Sequence, residues 1–541
     1  MWPKLLDHYT PVLVIVATAL FLVTVANRSF LYQVFQQLPD SSLDSLFFFS
    51  SICWVLGNLI ILLISFLSIF LGLRTACVTL IVLSAPLAYA SAAYGIVFDK
   101  TMIVNFLETD SHEAMSYVNS FAIFIVGVSG VIPAWILIRF YTPRPYLKEI
   151  ISGLKVTAVS LLSVLLIGSF YYKDFAAFFR NHHELTKYVT PVSFIDASIK
   201  IAKQHIYQRN TPLEILDPAP KINPNAMGVE SLTVIVVGET ARADHFQLLG
   251  YPRNTNPELT ASNLALATDI ASCGTATAVS VPCMFSRLDR NEYSHYGAAQ
   301  QENVLDIIQK AGYEVYWIDN NSSCKGVCKR VNQTTIEHTD PTVCEQGTCY
   351  DDVLITALED YISFSTASRA VVVLHMMGSH GPTYFQRYPE SFRKFTPDCA
   401  QSDIQHCSEE ALINTYDNTI VYTDHVLAGL IRVLENSHIE QTQMLYVSDH
   451  GESLGESGLY LHGFPYALAP ESQTTVPLLY WRNTPSLAQN HCPEHNKDLY
   501  SHDNIYDTLL GATSVSSTTY KPERDMLAQC LGYQSLSVGQ R

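Results

Sequence analysis

Charge is scarce in this chain. Only 15% of its 541 residues are Asp, Glu, Lys or Arg, and its mean hydropathy is positive at +0.14. A soluble domain carries nearer a quarter, so part of the chain belongs in lipid. Positive charge is scarcer still. Thirty-three basic residues face 50 acidic ones, a net −17, which excludes a nucleic-acid partner that would want a basic surface. The chain has no internal repeat and no low-complexity tract, and no doubled Cys-x-x-Cys of the kind that makes a zinc knuckle. Cysteine is almost missing before residue 270, where only Cys53 and Cys77 occur, both in apolar runs. Ten of the 12 cysteines follow. They fall as Cys273/Cys283, Cys324/Cys328, Cys344/Cys349 and Cys399/Cys407, leaving Cys492 and Cys530. Close pairs in a polar half read as disulfides in an oxidising compartment, although spacing alone does not prove their connectivity.

What is present early is apolar length. Five runs, roughly 11–30, 46–68, 75–96, 118–138 and 155–172, are each long enough for a bilayer core, which takes about 20 residues. The first is followed by Asn27-Arg28-Ser29-Phe30 and four more runs, which favours an anchor over a cleaved signal peptide. Lys4, Arg74, Arg139, Arg144, Lys148 and Lys155 fall on one set of connections, and Arg28 and Lys100 on the other. The first set should face the cytoplasm. An odd number of spans then places everything beyond residue 175 on the far side, in agreement with the cysteines. The expected organisation is a five-span domain over 1–172, a connector over 173–230 and a soluble domain over 231–541. In the connector, Phe175–Tyr188 and Phe194–Tyr207 read as helices at the membrane interface or packed on the soluble domain. Pro212, Pro218, Pro220 and Pro224 mark an extended linker. Beyond it strands and helices alternate: Asn303–Ala311 reads as a helix, Glu314–Ile318 as a strand and Ala411–Leu434 as a long helix. Such alternation predicts a mostly parallel sheet flanked by helices.

Three apolar runs in the soluble half end in acid or histidine. Leu232–Val237 leads into Gly238-Glu239-Thr240-Ala241-Arg242. Val371–Leu374 leads into His375 and Gly378-Ser379-His380-Gly381-Pro382. Met444–Val447 leads into Ser448-Asp449-His450-Gly451-Glu452. Ligands bind beyond the carboxyl ends of parallel strands, so three such ends point to one site. A small, hydroxyl-rich stretch, Cys273-Gly274-Thr275-Ala276-Thr277-Ala278-Val279-Ser280-Val281-Pro282-Cys283, could supply a nucleophile. Glu239, Asp449, His450 and a threonine hydroxyl make a four-ligand set of nitrogen and oxygen. That set suits zinc, with manganese allowed by softness alone. A cation there would acidify the hydroxyl. Spacing does not separate Thr277 from Thr275 as nucleophile. Phosphoryl transfer would also need positive charge on the phosphoryl oxygens. Lys325, in Asn320-Asn321-Ser322-Ser323-Cys324-Lys325-Gly326, and His380 and His462 are candidates, and Glu452 is a further candidate for the site.

Together, Gly-Glu-Thr-Ala-Arg, Cys-Gly-Thr-x-Thr-x-x-Ser-Val-Pro-Cys, Gly-x-His-Gly-Pro and Ser-Asp-His-Gly-Glu-Ser-Leu-Gly resemble the lipid A phosphoethanolamine transferases, which include the mobile colistin resistance enzymes. The resemblance runs along nearly the whole chain, with the motifs in the family's order. It implies an alkaline phosphatase/sulfatase-like α/β domain in the periplasm of a Gram-negative cell, tethered to the inner membrane by five helices. It also implies one tight zinc site, with a second weaker one, and a covalent phosphoethanolamine on Thr277. Lys325, His380 and His462 would contact phosphate or the second metal, and Thr275, Asn321 and Ser322 would join the substrate site. The donor would be phosphatidylethanolamine, the acceptor a lipid A phosphate, and the enzyme a monomer among inner-membrane lipids. The loop between the third and fourth spans would hold the donor headgroup through Asn105 and Glu113. The chain departs from some relatives at Val279, where a tyrosine occurs, and in carrying the Cys324/Cys328 pair. Rival readings are a membrane phosphoglycerol transferase, a sulfatase-like hydrolase, or a tethered binding protein. A sulfatase would show Cys/Ser-x-Pro-x-Arg, whereas Cys283-Met284-Phe285-Ser286-Arg287 lacks the proline.

Overall fold

A backbone entering lipid must satisfy its own amide and carbonyl groups, so long apolar runs become helices. The computed structural model of the protein describes residues 11–38, 42–108, 118–208, 212–337, 343–345, 348–483 and 500–528. Its N-terminal part is helical: α1 (Pro11–Ala26), α2 (Arg28–Gln36), α3 (Leu43–Leu71), α4 (Leu73–Tyr94), α5 (Lys100–Glu108), α6 (Ser120–Phe140), α7 (Tyr146–Phe170), α8 (Tyr172–Asn181) and α9 (Val192–Gln208). Among the described residues four of these are long and apolar enough to cross a membrane, and five if α1 and α2, bent by 59°, make one span. The bend has a cause. Buried Asn27 donates from Nδ2 to the carbonyls of Leu22 (2.9 Å) and Thr190 (2.7 Å) and accepts from the Thr190 amide (2.9 Å). Inserting a side chain into the helical ladder kinks it. The helix of the fifth apolar run, α7, starts at Tyr146 rather than near residue 155. Its polar first turn hides the start from a hydropathy reading, yet Glu149 is buried and satisfied by the Tyr141 hydroxyl (2.8 Å) and the Arg144 amide (2.9 Å). Leu162, Leu165, Leu166 and Phe170 on α7 stay exposed, as side chains facing lipid do.

Contacts divide the chain into two compact units, residues 1–103 with 118–201, and residues 104–117 with 202–541. The second unit is built on a seven-stranded sheet. Its strands are β1 (Ser231–Gly238), β2 (Leu266–Ala271), β3 (Glu314–Asp319), β4 (Asn332–Thr335), β5 (Arg369–His375), β6 (Gln441–Ser448) and β7 (Thr475–Arg482), in the order β2-β7-β6-β1-β5-β3-β4. Pairings from β6 through β4 are parallel, and β7 runs antiparallel to both its neighbours. The sheet is therefore mixed, with its parallel block at the centre. Helices α10 (Thr277–Met284), α11 (Val304–Lys310), α12 (Asp352–Phe364), α13 (Glu409–Asn436) and α14 (Ile505–Ala512) accompany it. Central strands buried on both faces read as unbroken apolar runs, and Val234–Val237 and Val371–Leu374 are fully buried.

Start signals are local and strong. Asn303 and Asp306 form a reciprocal capping box ahead of α11. The Ser408 side chain accepts from the Ala411 amide at the start of α13. Asp417 and Asp424 inside α13 are fully buried. Asp417 takes His245 Nδ1 (2.6 Å) and Arg253 Nη1 (2.7 Å), and Asp424 accepts the Glu258 and Leu259 amides at 2.8 and 3.1 Å. The proline-marked stretch after residue 211 is extended and tied down. Asp217 accepts from Ala219 N and Thr518 N (2.9 and 2.8 Å), and Glu302 accepts from Leu216 N at 3.1 Å.

Candidate active site

Parallel strands in register end at the same level, and that brings the acids together. Gly238 pairs with Ser448, Val237 with His375, and Asp319 with His375. Glu239 and Asp449 therefore follow adjacent strand ends. The turns that carry them are tight. A Cβ on Gly451 would lie 2.0 Å from the Ser472 carbonyl oxygen, and one on Gly378 (φ +52) would lie 2.6 Å from the Glu239 carbonyl oxygen. Thr240 (φ 57), Lys325 (φ 49) and Leu461 (φ 64) take left-handed backbone conformations costly for side chains with a Cβ. Each is a candidate site residue or the neighbour of one.

Glu239, Asp449 and His450 offer ligand atoms all within 4.8 Å of one another. Asp449 Oδ1 accepts from the Thr240 and His450 amides at 3.0 and 2.7 Å, while its Oδ2 is buried with no hydrogen-bond partner. His450 Nδ1 donates to the Gly451 carbonyl at 2.9 Å, which leaves Nε2 facing the site. That Nε2 is 3.3 Å from Asp449 Oδ2 and 3.5 Å from Glu239 Oε1. Thr277, the first residue of α10, places Oγ1 3.1 Å from Glu239 Oε2 and 3.3 Å from His450 Nε2. Two carboxylates, an imidazole nitrogen and a hydroxyl thus converge, with one carboxylate oxygen left orphaned. Such a donor set fits a divalent cation of the zinc type.

The electrostatics agree. Burial first, then the facing Glu239 charge, push the Asp449 carboxyl up to about 6. Burial also works against the Glu239 anion, but the nearby histidines, His450 foremost, outweigh it and hold this carboxyl below its usual range. Two carboxylates this close do not both ionise freely without a cation.

A second cluster lines the same region. Glu452, fully buried, lies 3.4 Å from His462 Nδ1 and accepts from the Tyr384 hydroxyl at 2.9 Å. The His462 ring centre is 4.4 Å from that of His450 and 5.7 Å from that of His380. Lys325 Nζ donates to Ser322 Oγ at 2.7 Å, Ser322 N donates to Asn321 Oδ1, and Asn321 Nδ2 donates to Glu239 Oε2 at 3.1 Å. Thr275 is occupied elsewhere: its hydroxyl donates to the Phe464 carbonyl at 2.5 Å.

Residues 231–515 match the sulfatase family, and residues 56–206 match the family described as phosphoethanolamine transferase EptA/EptB. The chain is 42% identical to the phosphoethanolamine transferase EptA of Escherichia coli strain K12, over 93% of this chain and 94% of that one. It is 35% identical to the Escherichia coli phosphatidylethanolamine transferase Mcr-1, over 95% and 96%. Its fold superposes with a TM-score of 0.89 on the integral membrane lipooligosaccharide phosphoethanolamine transferase A of Neisseria meningitidis, at 37% identity, covering 96% of this chain and 98% of that one. The chain belongs to the phosphoethanolamine transferase family.

As a member of this family the protein resides in the inner membrane, with its sulfatase-type domain in the periplasm. Disulfides join Cys273 to Cys283, Cys324 to Cys328, Cys344 to Cys349 and Cys399 to Cys407, while Cys53 and Cys77 are free. Cys492, Cys530 and Glu113 lie outside the described residues. Asn105 is half-buried on α5.

Sequence reasoning missed several supports. Asp351 is buried and takes the amides of Met377 and Gly378 at 2.8 Å each, shaping the turn ahead of His380. His375 is fully buried 3.3 Å from Asp319. His502 accepts the Cys273 amide on Nδ1 and donates from Nε2 to the Ser448 carbonyl, both at 3.0 Å. It clamps the Cys273–Cys283 loop to the end of β6. Asp351 and His502 come from chain segments distant from what they hold, and neither carries a motif that would mark it.

Proposed function

We propose that the protein transfers phosphoethanolamine from phosphatidylethanolamine to a phosphate of lipid A through a covalent intermediate on Thr277. One observation carries this reading. Of the two threonines in the loop, Thr277 alone points its hydroxyl at Glu239 and His450, whereas the Thr275 proton is held by the Phe464 carbonyl. Glu239, Asp449, His450 and Thr277 would hold zinc, which when bound lowers the proton affinity of the hydroxyl and supplies positive charge against phosphoryl oxygens.

The rest is chemistry of the chain's own side chains. In the first step Thr277 Oγ1 loses its proton and bonds to the donor phosphorus. The bond from phosphorus to the diacylglycerol oxygen breaks, and diacylglycerol leaves with a proton. In the second step an oxygen of a lipid A phosphate bonds to the same phosphorus, and the threonine oxygen leaves and regains its proton. Lys325, His380 and His462 face the transferred group and neutralise its oxygens. The amides opening α10 add the positive end of a helix there. Glu452, itself held by Tyr384, orients His462. Asn321 fixes the Glu239 carboxylate, and Ser322 fixes the Lys325 ammonium. Asn105 and Glu113 would steady the donor's ammonium headgroup. The product carries an added amine over a masked phosphate, so cationic polymyxins bind the modified surface less well.

The test is intact-mass measurement of the full-length protein after exposure to phosphatidylethanolamine. Wild type should carry one phosphoethanolamine adduct and Thr277→Ala none, with an unchanged melting temperature. An equal adduct on the variant would move the nucleophile elsewhere. Mass spectrometry of lipid A from cells with and without the protein checks the acceptor.

A further inference from the structure

We infer that Thr240 is a positioning residue, setting the Glu239 and Asp449 carboxylates for the cation they would share, and that Tyr416 locks it in place. The inference deepens the transferase reading above and rests on its metal site. Thr240 is fully buried and bonds to both acids. Its amide donates to Asp449 Oδ1 at 3.0 Å, and its hydroxyl donates to Glu239 Oε1. One residue therefore ties an oxygen of each carboxylate and fixes how the two stand to one another. Asp449 keeps Oδ2 unbonded for a ligand.

Holding a threonine there is costly. Its backbone lies in the left-handed region at φ 57, where a β-branched side chain is a genuine outlier. Such strain persists only where the surrounding contacts over-determine it, and here they do. The Tyr416 hydroxyl, fully buried on α13, donates to the Thr240 carbonyl at 2.7 Å and accepts from the Arg242 amide at 2.9 Å. The Ala241 amide donates to Ser448 Oγ at 2.8 Å, and the Glu239 carbonyl accepts from the Ser379 amide at 3.0 Å.

Glycine or asparagine would take this backbone with less strain, yet neither carries a hydroxyl. A turn that served only to end β1 has no use for one. The single proton of the Thr240 hydroxyl goes to Glu239, so what the strained residue supplies is a grip on a ligand carboxylate. Partners of this kind, one bond behind a metal ligand, orient it and raise its affinity for the ion.

The test measures zinc affinity by chelator competition on the full-length protein in detergent, together with the metal-free melting midpoint and the rate of adduct formation from phosphatidylethanolamine. Thr240→Val keeps the branched shape and the amide and removes only the hydroxyl. It should weaken zinc binding about 10- to 100-fold, with a metal-free midpoint near that of wild type, and saturating zinc should restore adduct formation. Thr240→Ser, which keeps the hydroxyl, should bind zinc as wild type does. Tyr416→Phe, which frees the Thr240 carbonyl but touches neither acid, should weaken zinc binding by a smaller factor. Zinc held as tightly by Thr240→Val as by wild type, or as weakly by Thr240→Ser as by Thr240→Val, overturns the inference. So does a loss of activity that saturating zinc leaves in place. Should Thr240→Val fail to fold, unchanged zinc affinity in Tyr416→Phe overturns it instead. Wild type that binds zinc but forms no adduct overturns the transferase reading alone, and wild type that binds no zinc overturns both.

Discussion

The two units bury polar groups for opposite purposes. In the membrane unit, buried polar side chains hold structure. Asn27 ties the kink between α1 and α2 to Thr190, and Glu149 collects the Tyr141 hydroxyl and the Arg144 amide. Each has its bonds met. In the periplasmic unit, Glu239, Asp449, His450 and Glu452 are just as buried, but Asp449 Oδ2 and Glu452 Oε1 lack hydrogen-bond partners. A buried polar atom without a partner costs about 1–3 kcal/mol. Asn27 and Glu149 are ties of the fold, whereas the orphaned oxygens of Asp449 and Glu452 gather at one site where a ligand would complete them.

The largest expected effect tests the frustrated side. Asp449→Asn should cut transfer by roughly a thousandfold or more and abolish bound metal by elemental analysis, while the thermal midpoint of metal-free protein barely moves. Full activity together with confirmed metal loss would break the contrast.

His502 sharpens it by pH. Burial holds this imidazole down to about 3, against an ordinary value of 6.5. Between those values the unfolded chain binds a proton that the folded chain does not. Its contribution is therefore fully present above about pH 6.5 and is lost as pH falls toward 3, by on the order of a few kcal/mol. Equilibrium unfolding at about pH 7.5 and pH 5 should reveal the loss, and His502→Gln should flatten the difference. An identical slope in the variant would assign the acid sensitivity to other groups.

Asn27→Ala tests the structural side. It should destabilise the full chain by about 2 kcal/mol, read as a lower unfolding midpoint in detergent, with metal content unchanged. The smallest effect is expected from Tyr384→Phe. Loss of one hydrogen bond to Glu452 should lower turnover by about tenfold or less, with a stability loss of about 1 kcal/mol and metal affinity unchanged.

Apolar length, cysteine grouping and the acids at three strand ends were legible because each is a local pattern. A run long enough to span lipid has few alternatives to a helix, and parallel strands expose their carboxyl ends together. Where local pattern was weak, the reading faltered. The polar first turn of α7 concealed its start until Glu149 was seen to be satisfied, and β7 gives no sign in its own residues that it runs antiparallel.

Composition and motif order by themselves determined the class of the protein: a membrane-anchored half, an oxidised half, and one acid-and-histidine site on an α/β sheet. Only tertiary structure sets Thr275 and Thr277 apart, since the two hydroxyls differ only in what the fold brings beside them. It alone showed Asn321 against Glu239, Tyr384 against Glu452, and His502 bridging Cys273 and Ser448. Those contacts join residues tens to hundreds of positions apart, and nothing in a residue's sequence neighbours records which distant group will share its few ångströms of space.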